Sequence, residues 1–171
     1  MNTNEAADNL RLNNGYPNAE RPIAVQARVL VDANNNPVLY GDNATPEIVT
    51  ATNTIAATEN GKTFFLNSAT EFVSTLPAPA AGLHFEFIVS AAPSGASYTI
   101  VTTSSANIIK GNVVTSATGA ADTEASGGDT INFVDGTAVA GDRVVLRCDG
   151  TNYFAYGQCA AAGGITITTA S

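Results

Sequence analysis

Short apolar runs alternate with polar residues along most of this chain, and turn residues separate them. "KTFFLN", "EFVSTL", "LHFEFIVS", "SYTIVTT", "DTINFV", "DRVVLRC", "NYFAYGQ" and "GITITT" each predict a strand, and several of them alternate cleanly with a period of two, as a strand with one buried face does. In "HFEFIV" this places Phe85, Phe87 and Val89 on one face and His84, Glu86 and Ile88 on the other. In "NYFAYG" Tyr153 and Ala155 share a face, leaving Phe154 and Tyr156 on the opposite one. "IVTATNTIA", "NIIKG" and "NVVTS" predict three further strands, and "ARVLVDANNNPVLYGD" predicts a hairpin about its Asn-rich turn.

Turn signals punctuate these runs at Asn60-Gly61, Pro93-Ser94-Gly95, Asp135-Gly136, Gly141-Asp142 and Asp149-Gly150. A spacing of roughly eight to twelve residues, with no interleaved helical pattern, predicts an all-β antiparallel sandwich, here of jelly-roll type. The segment "TSATGAADTEASGGD", residues 115–129, is small and poor in apolar side chains, which predicts a long exposed loop. Residues 1–22 are Asn-rich without apolar periodicity and predict an extended N-terminal arm, with residues 23–171 forming the sandwich domain. The arm's apolar handles are Leu10, Leu12, Tyr16 and Pro17.

Composition narrows the class. The 171 residues are 44% hydrophobic but only 13% charged, with no Trp and one Met, so Thr, Ser and Asn must supply most of the polar surface. That favours strands over helices, and the length suits one compact domain. A net charge of −8 opposes binding to a nucleic-acid backbone and to anionic membrane surfaces. No apolar run approaches the roughly 20 residues that span a bilayer. The opening "MNTNEAADNLRLNNGYPNAERP" has neither a basic leader nor an apolar core, so no secretory signal is expected and synthesis ends in a cytoplasm.

Candidate chemistry is sparse. His84 has no second His and no nearby Cys, which makes a zinc site or a Ser or Cys nucleophile depend on one distant imidazole. Ser94 and Ser97 in "PSGAS" fit a hairpin turn better than a nucleophile elbow. "DANNNP" opens like a calcium loop, but Pro37 stands where a Gly is needed and Asn43 where a bidentate Glu is needed. Asp129, Asp135, Asp142 and Asp149 recur at intervals that could line a weak cation site, although Asp also initiates turns. A carboxylate pair for glycoside cleavage would lack Trp platforms, and "ASGGDT" leads into a strand rather than the helix of a phosphate cradle. Pairing of the arms around Asp149-Gly150 sets Cys148 beside Tyr153 and Cys159 near Asp142, too far apart for a disulfide, so both are expected as free thiols. The expectation is a protein that is not an enzyme and binds no cofactor or metal.

From Thr63 onward, "FFLNSATEFVSTLPAPAAGLHFEFIV", "YTIVT", "NIIKG", "GDTINFVDGTAVAGDRVVLRCDGTNYFAYG" and "GGITIT" resemble, in order, the decoration or cement proteins on the heads of tailed bacteriophages. Similar arrangements occur in phage tail and fibre modules. The chain departs from the family where Tyr153-Phe154 follows the Asp-Gly-Thr turn, a place where Trp is common. The resemblance implies a structural virion protein on the outer capsid surface, a homotrimer that contacts the major capsid protein and bridges capsomers. On that reading Leu10, Leu12, Tyr16, Pro17, Val25, Val29 and Val31 are the expected capsid contacts. Phe154, Tyr156, Ile165 and Ile167 are the expected contacts between protomers. The alternative is a fibre or tail module that binds a host glycan through residues 115–128.

Overall fold

The computed structural model describes residues 45–169 and the backbone of residues 30–31 and 37–38. The chain divides into residues 1–40 and residues 41–171. In the first unit, β1 (Leu30–Val31) and β2 (Pro37–Val38) pair antiparallel across the Asn-rich turn, Leu30 opposite Val38 and Val31 opposite Pro37. The predicted arm lies outside the described residues.

In the second unit, twelve strands follow in order: β3 (Glu47–Val49), β4 (Asn53–Thr54), β5 (Thr63–Leu66), β6 (Phe72–Thr75), β7 (His84–Val89), β8 (Tyr98–Val101), β9 (Ile109–Thr115), β10 (Thr123–Gly128), β11 (Thr130–Phe133), β12 (Arg143–Cys148), β13 (Tyr153–Cys159) and β14 (Ile165–Thr168). They form a seven-stranded sheet ordered β10-β9-β13-β12-β7-β5-β3 and a five-stranded sheet ordered β14-β11-β8-β6-β4. The helical residues described are two short 3-10 turns, Ala57–Glu59 and Thr103–Ser105. The all-β class thus follows the alternation in the sequence.

Strand direction differs from the antiparallel expectation. Of ten strand pairings in these sheets, five are parallel: β3 with β5, β5 with β7, β4 with β6, β6 with β8, and β9 with β13. From β3 to β8 the chain alternates between sheets, so each strand enters its sheet in the direction of the strand two places earlier. A tight hairpin can only return antiparallel, whereas a crossover through the opposite sheet yields a parallel neighbour. Consequently Asn60-Gly61 and Pro93-Ser94-Gly95, which look like hairpin turns, join strands of opposite sheets. The purely antiparallel jelly roll is corrected to a two-sheet fold with mixed strand directions.

Three local expectations also change. "IVTATNTIA" divides into β3 and β4, one in each sheet, while "NIIKG" and "NVVTS" merge into β9. Residues 115–129 contain β10, an edge strand paired with β9, rather than one long loop. Small side chains are what this place demands: a Cβ on Gly128 would lie 2.6 Å from Ile167 Cγ2 and 2.9 Å from the Thr168 carbonyl oxygen. A register irregularity between Ala125 and Gly128 accompanies this approach to β14.

Inward side chains of both sheets build one core. Phe64, Leu66, Phe85, Phe87, Val144, Leu146 and Tyr153 come from the larger sheet, and Phe72, Tyr98, Ile100, Ile131, Phe133 and Ile165 from the smaller. Phe64 stacks on Phe87 at 5.2 Å and Phe72 on Tyr98 at 4.5 Å between ring centroids. Such aromatic pairs contribute about 0.5–1.5 kcal/mol beyond their burial. The polar ends of the buried rings are satisfied: the Tyr98 hydroxyl donates to the Ser68 carbonyl at 2.7 Å and the Tyr153 hydroxyl to that of Pro77 at 2.9 Å. Burial, with the nearby Cys148 thiol adding to it, pushes the Tyr153 phenol far above its ordinary pKa.

Candidate functional site

The β12–β13 hairpin fixes the centre of the larger sheet. Asp149 Oδ1 accepts the Thr151 N–H at 2.8 Å and the Asn152 N–H at 2.7 Å, while the Asp149 N–H donates to the Asn152 carbonyl at 3.2 Å. The bond from Asn152, then that from Thr151, hold the Asp149 carboxyl below the usual carboxylate range. The turn sets Cys148 opposite Tyr153 and Arg143 opposite Gln158, and strand alternation does the rest. Val144, Leu146, Tyr153 and Ala155 enter the core, whereas Arg143, Val145, Arg147, Phe154, Tyr156 and Gln158 face out.

Register with the flanking strands assembles these outward residues into three rows. One row runs Lys110, Phe154, Arg147, His84. The next runs Glu124, Asn112, Tyr156, Val145, Glu86, Thr63. The third runs Val114, Gln158, Arg143, Ile88, Phe65, Ile48. Tyr156 is 57% exposed, Ile48 64% and Val114 46%, so apolar and aromatic groups reach solvent across most of the sheet's width.

Charge is unevenly shared. Residues 45–169 contain four cationic side chains, Lys62, Lys110, Arg143 and Arg147, and ten carboxylates. Three of the cations but only two of the carboxylates, Glu86 and Glu124, belong to these rows. Lys62 is committed elsewhere: its Nζ donates to Glu47 Oε2 at 2.8 Å and also to Glu59 Oε1. Burial works against its charge, but the two carboxylates outweigh burial and raise its pKa. Among the described residues, Lys110, Arg143 and Arg147 form no ion pair within the chain.

The recurring Asp residues act as hydrogen-bond acceptors within the fold. Asp142, 3% exposed, accepts the Val139 N–H on Oδ2 at 3.0 Å and the Ala160 N–H on Oδ1 at 2.8 Å. Asp135 Oδ1 accepts the Gly95 N–H at 2.9 Å, and Asp129 Oδ1 accepts the Thr130 hydroxyl at 2.7 Å. Among the described residues no three His, Cys, Asp or Glu side chains are placed to hold a metal ion. His84 lies half-buried on the outer face beside Arg147. Cys148 and Cys159 are buried free thiols, as the hairpin register implies.

Of the expected contact residues, Phe154 and Tyr156 lie together on the outer face. Ile165 is fully buried in the chain's own core, and Ile167 packs half-buried against that core. Leu10, Leu12, Tyr16, Pro17, Val25 and Val29 lie outside the described residues, and of Val31 only its backbone pairing is described. Sequence reading overlooked Arg143 and Arg147 although their alternation in "DRVVLRC" was legible. Lys110 joins them only through the parallel pairing of β9 with β13.

No family model matches the chain, and comparison with curated proteins and with solved structures finds no match either.

Proposed function

We propose that this chain is a structural virion protein of the decoration or cement type, which binds the outer surface of a phage head and bridges neighbouring capsomers. Its partners on this reading are the major capsid protein and further copies of itself in a homotrimer, and it performs no chemical step. The observation that carries the proposal is the outer face of the seven-stranded sheet, where Tyr156, Ile48 and Val114 are offered to solvent beside the half-buried Phe154 on a scaffold held by a single core. Exposed apolar and aromatic groups gathered on one face, with polar residues among them, suit a contact site. The sequence resemblance supplies the identity of the partner. A bridging protein gains from multivalency, because each contact after the first is intramolecular and modest contacts become firm together.

The test is to image heads assembled with and without the protein and to measure their resistance to heat. Density repeated over the icosahedral lattice, with a raised temperature of head disruption, is the expected result. Density confined to one vertex, retention on host glycans, or cleavage of a polysaccharide would replace this reading with a fibre, tail or enzymatic one.

A further inference from the structure

We propose that the shell-facing surface is the outer face of the seven-stranded sheet, and that it docks on a protein surface bearing exposed carboxylates. This inference rests on the decoration reading and adds to it the face used and the chemistry of its partner.

Three features converge. First, cations that form no ion pair among the described residues are juxtaposed with aromatic rings: Phe154 lies between Lys110 and Arg147, and Tyr156 lies in the adjacent row beside Val145, itself between Arg143 and Arg147 along β12. Arg and Tyr dominate the energetics of protein interfaces, because each combines apolar area with directed hydrogen bonding. Second, the charge of the face opposes that of the rest. Its three cations and two carboxylates sum to +1, whereas the remaining described residues, with one cation and eight carboxylates, sum to −7. Screening limits electrostatic reach to about 8 Å at physiological salt, so a docked partner responds to this local pattern more than to the net charge of the chain.

Third, the size fits. Seven strands about 4.8 Å apart and about six residues long at about 3.4 Å each make a platform on the order of 600 Å². A standard interface buries about 800 Å² per partner. A second copy is the poorer face-to-face occupant, because that pairing sets Lys110, Arg143 and Arg147 against three further cations. An acidic surface instead lets each guanidinium take a carboxylate in its planar fork.

The test pairs the full-length protein with heads assembled in its absence and measures co-sedimentation. The wild type and an Arg143→Glu, Arg147→Glu double variant are compared from about 50 to about 300 mM NaCl, a range over which screening roughly halves its reach. The wild type is expected to bind several-fold more weakly at the higher salt. The double variant is expected to bind at least tenfold more weakly at the lower salt, with an unchanged circular-dichroism melt because both side chains are exposed. A Tyr156→Ser variant, which alters no charge, is expected to weaken binding at every salt concentration. A wild type that binds no heads overturns the decoration reading itself. A wild type that binds while the double variant binds equally well overturns the choice of face alone. A double variant that retains head binding but loses its oligomeric state in sedimentation velocity makes the face a self-contact, which also overturns the inference.

Discussion

At the residue scale, two positions carry more structural weight than their chemistry suggests. Gly111 has φ +135°, and a Cβ built on it would lie 2.0 Å from the Ala155 carbonyl oxygen of the neighbouring strand. The Gly111→Ala variant must therefore both strain its backbone and push β9 away from β13, so a loss of about 2–4 kcal/mol is expected. Thermal melts should show it as a fall of roughly 5–15 °C in Tm. Asp142 is the second. Its Ala variant leaves the Val139 and Ala160 N–H groups without their carboxylate acceptor, and a hydrogen bond to a charged group contributes about 1.5–3 kcal/mol. Denaturant unfolding should report a lowered midpoint at an unchanged slope.

Asp149 gives a pH signature with a definite sign. Its folded carboxyl is held below the ordinary value by N–H donors, so its contribution is full above about pH 4 and is lost as pH falls through the depressed value. The Asp149→Asn variant should then lose less stability than the wild type on acidification from pH 5 to pH 2, a comparison that urea titrations at each pH resolve. This turn was legible beforehand, because Asp-Gly between two alternating runs specifies a hairpin from local bonds alone.

At the scale of elements, the strands were largely legible and their partners were not. The alternation in "HFEFIV" and "NYFAYG" named the buried and exposed faces of β7 and β13 correctly, because a pleat reverses side chains at every residue whatever the strand pairs with. Residues 115–129 misled for a physical reason: β10 has little apolar content because it pairs through its backbone and must leave room for β14. Enlarging Gly128 to Val places side-chain atoms where Ile167 and the Thr168 carbonyl already lie. Hydrogen exchange in that variant should accelerate selectively at amides of β10 and β14, while β7 and β12 stay protected. Uniform acceleration throughout would mean that these edges are not a separate opening unit.

At the scale of the whole molecule, one core spans Val49 to Ile165 and joins both sheets. Removing residues 1–22 deletes none of the described members of that core, so the shortened chain should keep its melting temperature within a few degrees, as calorimetry can determine. Removing Phe64 by substitution with Ala should instead cost about 3–5 kcal/mol, because its fully buried ring stacks on Phe87 and lies against Phe85 in the core.

By itself the sequence determined what is local: the β class, the inward and outward faces of β7 and β13, the tight turn at Asp149-Gly150, and the free state of two buried thiols. These follow from nearest-neighbour sterics and a two-residue period. Tertiary structure decided which strands lie side by side, that half of the pairings in the two sheets are parallel, and that Lys110, Phe154 and Arg147 stand in one row. A turn encodes only that the chain reverses. Which sheet the chain enters next is settled by the burial of one shared core, a property of many distant residues at once.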